Sequence, residues 1–294
     1  MDRIALGQEE QETMIDFIGE FSADQEFRKL LGRRDDEVNL TIAALELARD
    51  ANSRLDFTPT LQWIAARGAE ISGLVALASG DQAILRVLAD CLCARHGITG
   101  NSMAYDSADG SYLNRVIETR NGIPISLSVL YLAVAECAGI ALRGVCAPGH
   151  FLVRYETLHK PLFIDAFHKG RVLTFAECLE RVQSEHQMTK AQARRALEPA
   201  GARAIITRML NNLKAIHAHN ENWTQCFKTQ NRLLALQPAA YSERRDWALI
   251  ALKAGKPGPA LTMLEQCLQT CPDEERQVLE DHAKRARGAV AQFN

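Results

Sequence analysis

The chain has 294 residues, 47% of them hydrophobic and 24% charged, which suits about two folded domains and makes disorder not the default. Its 34 lysines and arginines nearly cancel its 36 aspartates and glutamates, leaving a net charge of -2. A surface so balanced has no long-range field to gather nucleic acid or anionic lipid, so neither a nucleic acid nor a membrane is expected as partner.

The opening MDRIALGQEE has no basic start followed by an apolar core and a small-residue cleavage site, which points to the cytoplasm. In that compartment the eight cysteines read as structural thiols within apolar helical patterns. Cys91 and Cys93 are separated by one residue and no second pair follows at metal-site spacing, so no metal and no cofactor is expected.

Helical spacing governs Gln8 to about Gly97. Met14, Phe17, Ile18 and Phe21 recur at it, then Leu40, Ala43, Ala44, Leu47 and Ala48, then Leu61, Ile64 and Ala65, then Ile84, Leu85, Leu88 and Cys91. This predicts a helical N-terminal lobe over residues 1–98. The stretch GITGNSMAYDSADG, residues 97–110, is dense in turn-forming residues and predicts a long loop of the kind that often serves function. Asn101, Tyr105 and Asp106 in it, with Arg120 and Asn121 just beyond, are candidates to line a cleft. The same asparagines and aspartates equally suit side-chain to backbone scaffolding.

Ser111 to Arg120 predicts a helix, and NGIP ends it. Gly122 to Leu142 then holds one charged residue, Glu136, and could be mistaken for a membrane span. Pro124 suits a helix start and Gly139 a helix end, leaving about 15 residues or roughly 22 Å, short of a hydrocarbon core of about 30 Å. A buried central helix is the expectation. Ala141–Ala147, His150–Glu156 and Pro161–Asp165 follow as short strands in an antiparallel meander, giving an α+β core over residues 99–190. With Thr157-Leu158 as a two-residue hairpin loop, His150 would face Asp165 across the pair.

From about Ala204 the pattern repeats. LLALQP ends at Pro238 and CLQTCP at Pro272, 34 residues on, which sets Cys226 against Ala260 and Leu233 against Cys267. Thirty-four residues is the tetratricopeptide period, so residues 200–290 predict helical repeats that hold a protein or peptide partner. The first unit has Glu221 where the second has the turn glycine Gly255.

His150 with Asp165 can be a base oriented by a carboxylate or a structural pair at a sheet end. Ser126, at the start of the buried helix, reads either as a nucleophile at the positive end of a helix dipole or as a first-turn capping residue. His168 gives a faint His-Asp-His metal pattern and reads as a solvated loop histidine.

These residues carry a resemblance. The run GNSMAYDSADGSYLNRVIETRNGIPISLSVLYLAVAECAGIALRGVCAPGHFLVRY and the later FIDAFHKGRVL resemble the bacterial SirB-type branch of the transglutaminase-like superfamily, whose members append C-terminal tetratricopeptide repeats. The resemblance implies a papain-like core with a small antiparallel sheet, a helical lobe before it and an all-α tail after it. It also implies His150 as the base and Asp165 as its orienting carboxylate. The family's cysteine does not carry over: counting back from Gly139 lands on Pro124, and no cysteine lies between Gly122 and Ser128. Two functions are therefore expected to compete. One is a non-catalytic or weakly catalytic binding protein, and the other is an amide hydrolase or acyl transferase using His150 and Asp165 with Ser126 or an activated water.

Overall fold

The computed structural model describes residues 19–293, so Met14, Phe17 and Ile18 of the first helical pattern lie outside the described residues. Two compact units emerge: residues 35–209, and residues 19–34 together with 210–293. The short helix α1 (Gln25–Leu31) belongs to the second of these and packs on the C-terminal helix Trp223–Leu236. The expected α+β core and helical tail are both present.

The unit 35–209 opens with α2 (Leu40–Ala48), α3 (Thr58–Leu77) and α4 (Asp81–Ala89). Asn39 starts α2 by accepting the Ile42 amide on its side-chain oxygen at 3.0 Å, satisfying one of the unpaired donors of a first turn. The stretch expected as a loop holds β1 (Thr99–Gly100) and two short 3-10 turns, Ser102–Tyr105 and Ala108–Gly110. After α5 (Leu113–Thr119) the chain returns as β2 (Asn121–Gly122), parallel to β1.

Helix α6 (Pro124–Cys137) is the centre of this unit. It is apolar on every side, so every side must be covered; Leu127, Val129, Leu130, Tyr131 and Val134 are wholly buried. Pro124 sits in its first turn, where the missing N–H costs nothing. Gly139, at φ +77°, ends it, and the Ile140 amide reaches back to the Ala135 carbonyl at 2.8 Å. Helix α3 comes close to α6 because Gly68 has no side chain: a Cβ there would lie 2.3 Å from that of Cys137.

A four-stranded antiparallel sheet follows, β3 (Leu142–Val145), β4 (Leu152–Tyr155), β5 (Leu162–Asp165) and β6 (Arg171–Thr174), in sequential order. The first three are the expected strands, shortened at their ends. β6 was not expected, since RVLT is too short for alternation to declare itself. The hairpin register also differs. Val153 pairs with Ile164 and Tyr155 with Leu162, so the turn is longer than two residues. Thr157 Oγ1 holds that turn, accepting from the His159 amide and donating to the Lys160 carbonyl. A slip of two residues preserves the face each side chain points to, so His150 and Asp165 stay on the same side while no longer directly opposed. Phe163, Leu152, Val145 and Leu173 form a core with Cys178 and Val182 of α7 (Phe175–His186) and Ala193 of α8 (Lys190–Ala196). Helix α9 (Ala202–His219) carries the chain onward.

In the second unit α10 (Trp223–Leu236), α11 (Tyr241–Lys253), α12 (Pro257–Thr270) and α13 (Asp273–Phe293) pack in succession. α10 and α12 start 34 residues apart and end 34 residues apart, and the register partners Cys226, Leu233, Ala260 and Cys267 are all wholly buried. No helix among the described residues is long and apolar enough to cross a membrane.

Candidate functional site

Asp165 closes β5 with its side chain only 2% exposed, and three elements converge on its carboxylate. His150, at the entrance to β4, brings Nε2 to 2.9 Å from Oδ2. The ring N–H is not aligned with that oxygen, so this is a close ion-pair contact and not a linear hydrogen bond. His168, in the turn from β5 to β6, donates its backbone N–H to Oδ1 at 3.1 Å and sets Nδ1 2.8 Å from Oδ2. Arg181 of α7 places Nη1 3.5 Å from Oδ2 while its Nε donates to Glu185 Oε1 at 2.9 Å. Burial pushes the Asp165 carboxyl upward, but the close contact with His150 and the bonds from His168 outweigh it and bring the group down to about 2. Asp165 is therefore an anion throughout the neutral range.

Phe167 forms the aromatic wall of this cluster. It stands edge-on to His150 at 6.5 Å and to His168 at 5.2 Å, with Tyr105 at 6.1 Å. Gly100 explains the closeness of β1: its amide donates to the Phe167 carbonyl at 3.2 Å, and a Cβ there would fall 2.2 Å from the Phe167 ring. Through this contact the turn bearing Tyr105 reaches the His150–Asp165 pair.

Ser126 is placed otherwise. It is wholly buried, and its hydroxyl stands 2.5 Å from the Gly110 carbonyl and 3.0 Å from the Ile123 carbonyl. It forms no hydrogen bond with His150. The side chain ties the first turn of α6 to the turn Ala108–Gly110 by donating to backbone carbonyls; it accepts no first-turn amide, so the capping role expected of it is not the one it takes. Cys146 is half-buried, and burial pushes its thiol up, with the neighbouring Arg208 guanidinium partly opposing the rise. It is no ready thiolate.

Of the five cleft candidates, Tyr105 alone joins the aromatic group. Asn101 accepts the Met103 amide at 2.9 Å and Asn121 donates to the Thr119 carbonyl at 2.8 Å, both scaffolding roles. Arg120 takes a left-handed backbone at φ +60° after α5, and its carbonyl receives the Thr99 amide. Asp106 is exposed at the end of its 3-10 turn. His168, read from sequence as a solvated loop histidine, is half-exposed yet bonded to Asp165; its spacing from Asp165 was the available signal. Arg181 and Phe167 carried none.

Residues 43–211 match the model of the transglutaminase-like superfamily, and residues 213–287 match a tetratricopeptide repeat model. A UPF0162 protein of Xylella fastidiosa is 39% identical over 180 residues, 60% of this chain and 64% of that protein. A UPF0162 protein of Vibrio cholerae is 24% identical over 180 residues, covering 60% and 66% of the two chains. F-box only protein 21 of Mus musculus is 31% identical over 159 residues, 51% of this chain and 24% of that protein. The aligned region thus spans less than two thirds of each of these relatives. No solved structure matches the chain.

Proposed function

The chain belongs to the transglutaminase-like superfamily and carries a tetratricopeptide tail, and from that premise we propose that it is a protein- or peptide-binding member without the thiol nucleophile. The observation that carries this is Ser126: the hydroxyl at the nucleophile's end of α6 is wholly buried and spent on two backbone carbonyls. Pro124 stands where the family's spacing calls for a cysteine. Tetratricopeptide units serve widely as protein-binding surfaces, which supports the repeats as the partner-holding part. The segments GIPISL and PGHFLVR, followed by the repeat tail, support the SirB-type branch.

A second reading, an amide hydrolase or acyl transferase, has one specific observation in its favour. His150 retains its carboxylate partner, and an imidazole beside an ionised aspartate can draw a proton from water. The two readings part on labelling with serine- and cysteine-directed acylating probes, followed by intact mass and peptide mapping in wild type and His150→Ala. The binding reading expects no His150-dependent adduct at any residue. An adduct on Ser126 that disappears in His150→Ala, or peptide-amide turnover that does so, would overturn it.

A further inference from the structure

We infer that His150 Nε2, His168 Nδ1 and Asp165 Oδ2 form a binding site for a first-row divalent metal of the zinc type, with further coordination positions open to solvent. This goes beyond the binding role proposed above and does not depend on it. The three donor atoms lie within 4.8 Å of one another, and the two nitrogens stand 2.9 and 2.8 Å from the same oxygen. Nitrogen and oxygen ligands about 2.0 to 2.2 Å from a metal stand roughly 3 to 3.5 Å apart, so each nitrogen needs to draw back from Oδ2 by only a few tenths of an ångström, with the two nitrogens, within 4.8 Å of each other, settling into the same range. Two imidazoles and one carboxylate make a donor set that zinc and its neighbours accept, and one that leaves positions free for water or a ligand.

Two features favour a metal over a carboxylate clasped by two histidines. The first is that the buried His150 Nε2 meets Oδ2 at 2.9 Å with its N–H out of line, so releasing that proton to bind an ion gives up no well-formed hydrogen bond. The second is that Asp165 Oδ1, the oxygen not offered to the metal, is held by the His168 backbone amide and so fixes the carboxylate's orientation. The His168 side chain is 53% exposed, which gives an ion a way in. Arg181 is the built-in competitor. Its Nη1 sits 3.5 Å from the same Oδ2, yet its side chain is 41% exposed and also bonded to Glu185, so it can withdraw when a cation enters. Glu70, Cys91 and His96 also lie close enough to share an ion, but there Arg67 and Arg95 already neutralise Glu70, and Cys91 is wholly buried.

The test is titration of the metal-free full chain with Co²⁺, followed by its visible absorption, and with Zn²⁺ by calorimetry. One Zn²⁺ per chain is expected, displacing Co²⁺, with binding at least about tenfold weaker in His168→Ala and in His150→Ala. Arg181→Gln should bind more tightly than wild type, and His96→Ala should match it. Asp165→Asn, which keeps side-chain shape, provides a further variant should either histidine substitution unfold the chain, and should also lose the site. No saturable uptake by the wild type, or uptake undiminished in His150→Ala and His168→Ala, would sink the proposal.

Discussion

Asp165 illustrates how a carboxylate can be kept charged in a nearly dry position. Burial alone would favour its neutral form, and the histidines on two sides reverse that preference. The folded-state value of about 2 lies below the ordinary 3.8, so the ionised form stabilises the fold, fully above about pH 4, and that contribution fades as pH falls towards 2. The interval corresponds to on the order of 2 kcal/mol. Urea unfolding of the wild type and Asp165→Asn across this acid range should show the wild type losing that increment and the variant lacking it. Equal slopes in both would mean that the pairing contributes nothing to stability. His168 shows the limit of reading residues one at a time: its three-residue distance from Asp165 was visible, but only the sharp turn between β5 and β6 aims its ring back at the carboxylate.

Among the elements, the repeats show how far periodicity reaches. The 34-residue offset in the sequence reappears as equal spacing of both ends of α10 and α12, because apolar residues at equivalent positions bury equivalent surfaces. Even the exception keeps the geometry. Glu221, at φ +52°, takes the left-handed turn that Gly255 takes at φ +74° in the next unit. A side chain with a Cβ pays about 1 to 2 kcal/mol in that conformation, partly offset by the greater freedom glycine has when unfolded. Glu221→Gly should therefore stabilise the chain by about 0.5 to 1 kcal/mol in denaturant unfolding. A destabilised variant would show that the Glu221 side chain makes a contribution larger than its backbone strain. The central helix was equally legible, since Pro124 and Gly139 act locally at its two ends. The hairpin register was not, because alternation fixes which face a residue points to but leaves a slip of two undetected.

At the scale of the whole molecule, pairs far apart in sequence complete each unit. Arg232 of α10 is buried with its guanidinium against both the Phe21 and Phe27 rings, 4.7 and 4.8 Å from their centroids, and Nη2 donates to Asp24 at 2.7 Å across 208 residues. Removing one partner of such a buried pair costs about 3 to 5 kcal/mol, because the other charge stays behind in an apolar setting. Asp24→Ala should accordingly lower stability by about that much, with a clear drop in Tm; a loss below about 1 kcal/mol would mean that the pair is replaced by solvent without penalty. The sequence alone determined what depends on local order: a charge-balanced globular chain, the capped central helix, the strand faces and the repeat period all follow from spacing and from proline and glycine geometry. Tertiary structure decided what depends on convergence. That Arg181 reaches the carboxylate His150 already approaches, that Ser126 is spent on the Gly110 carbonyl, and that Asp24 meets Arg232 are outcomes of packing elements from distant parts of the chain, and no local pattern encodes them.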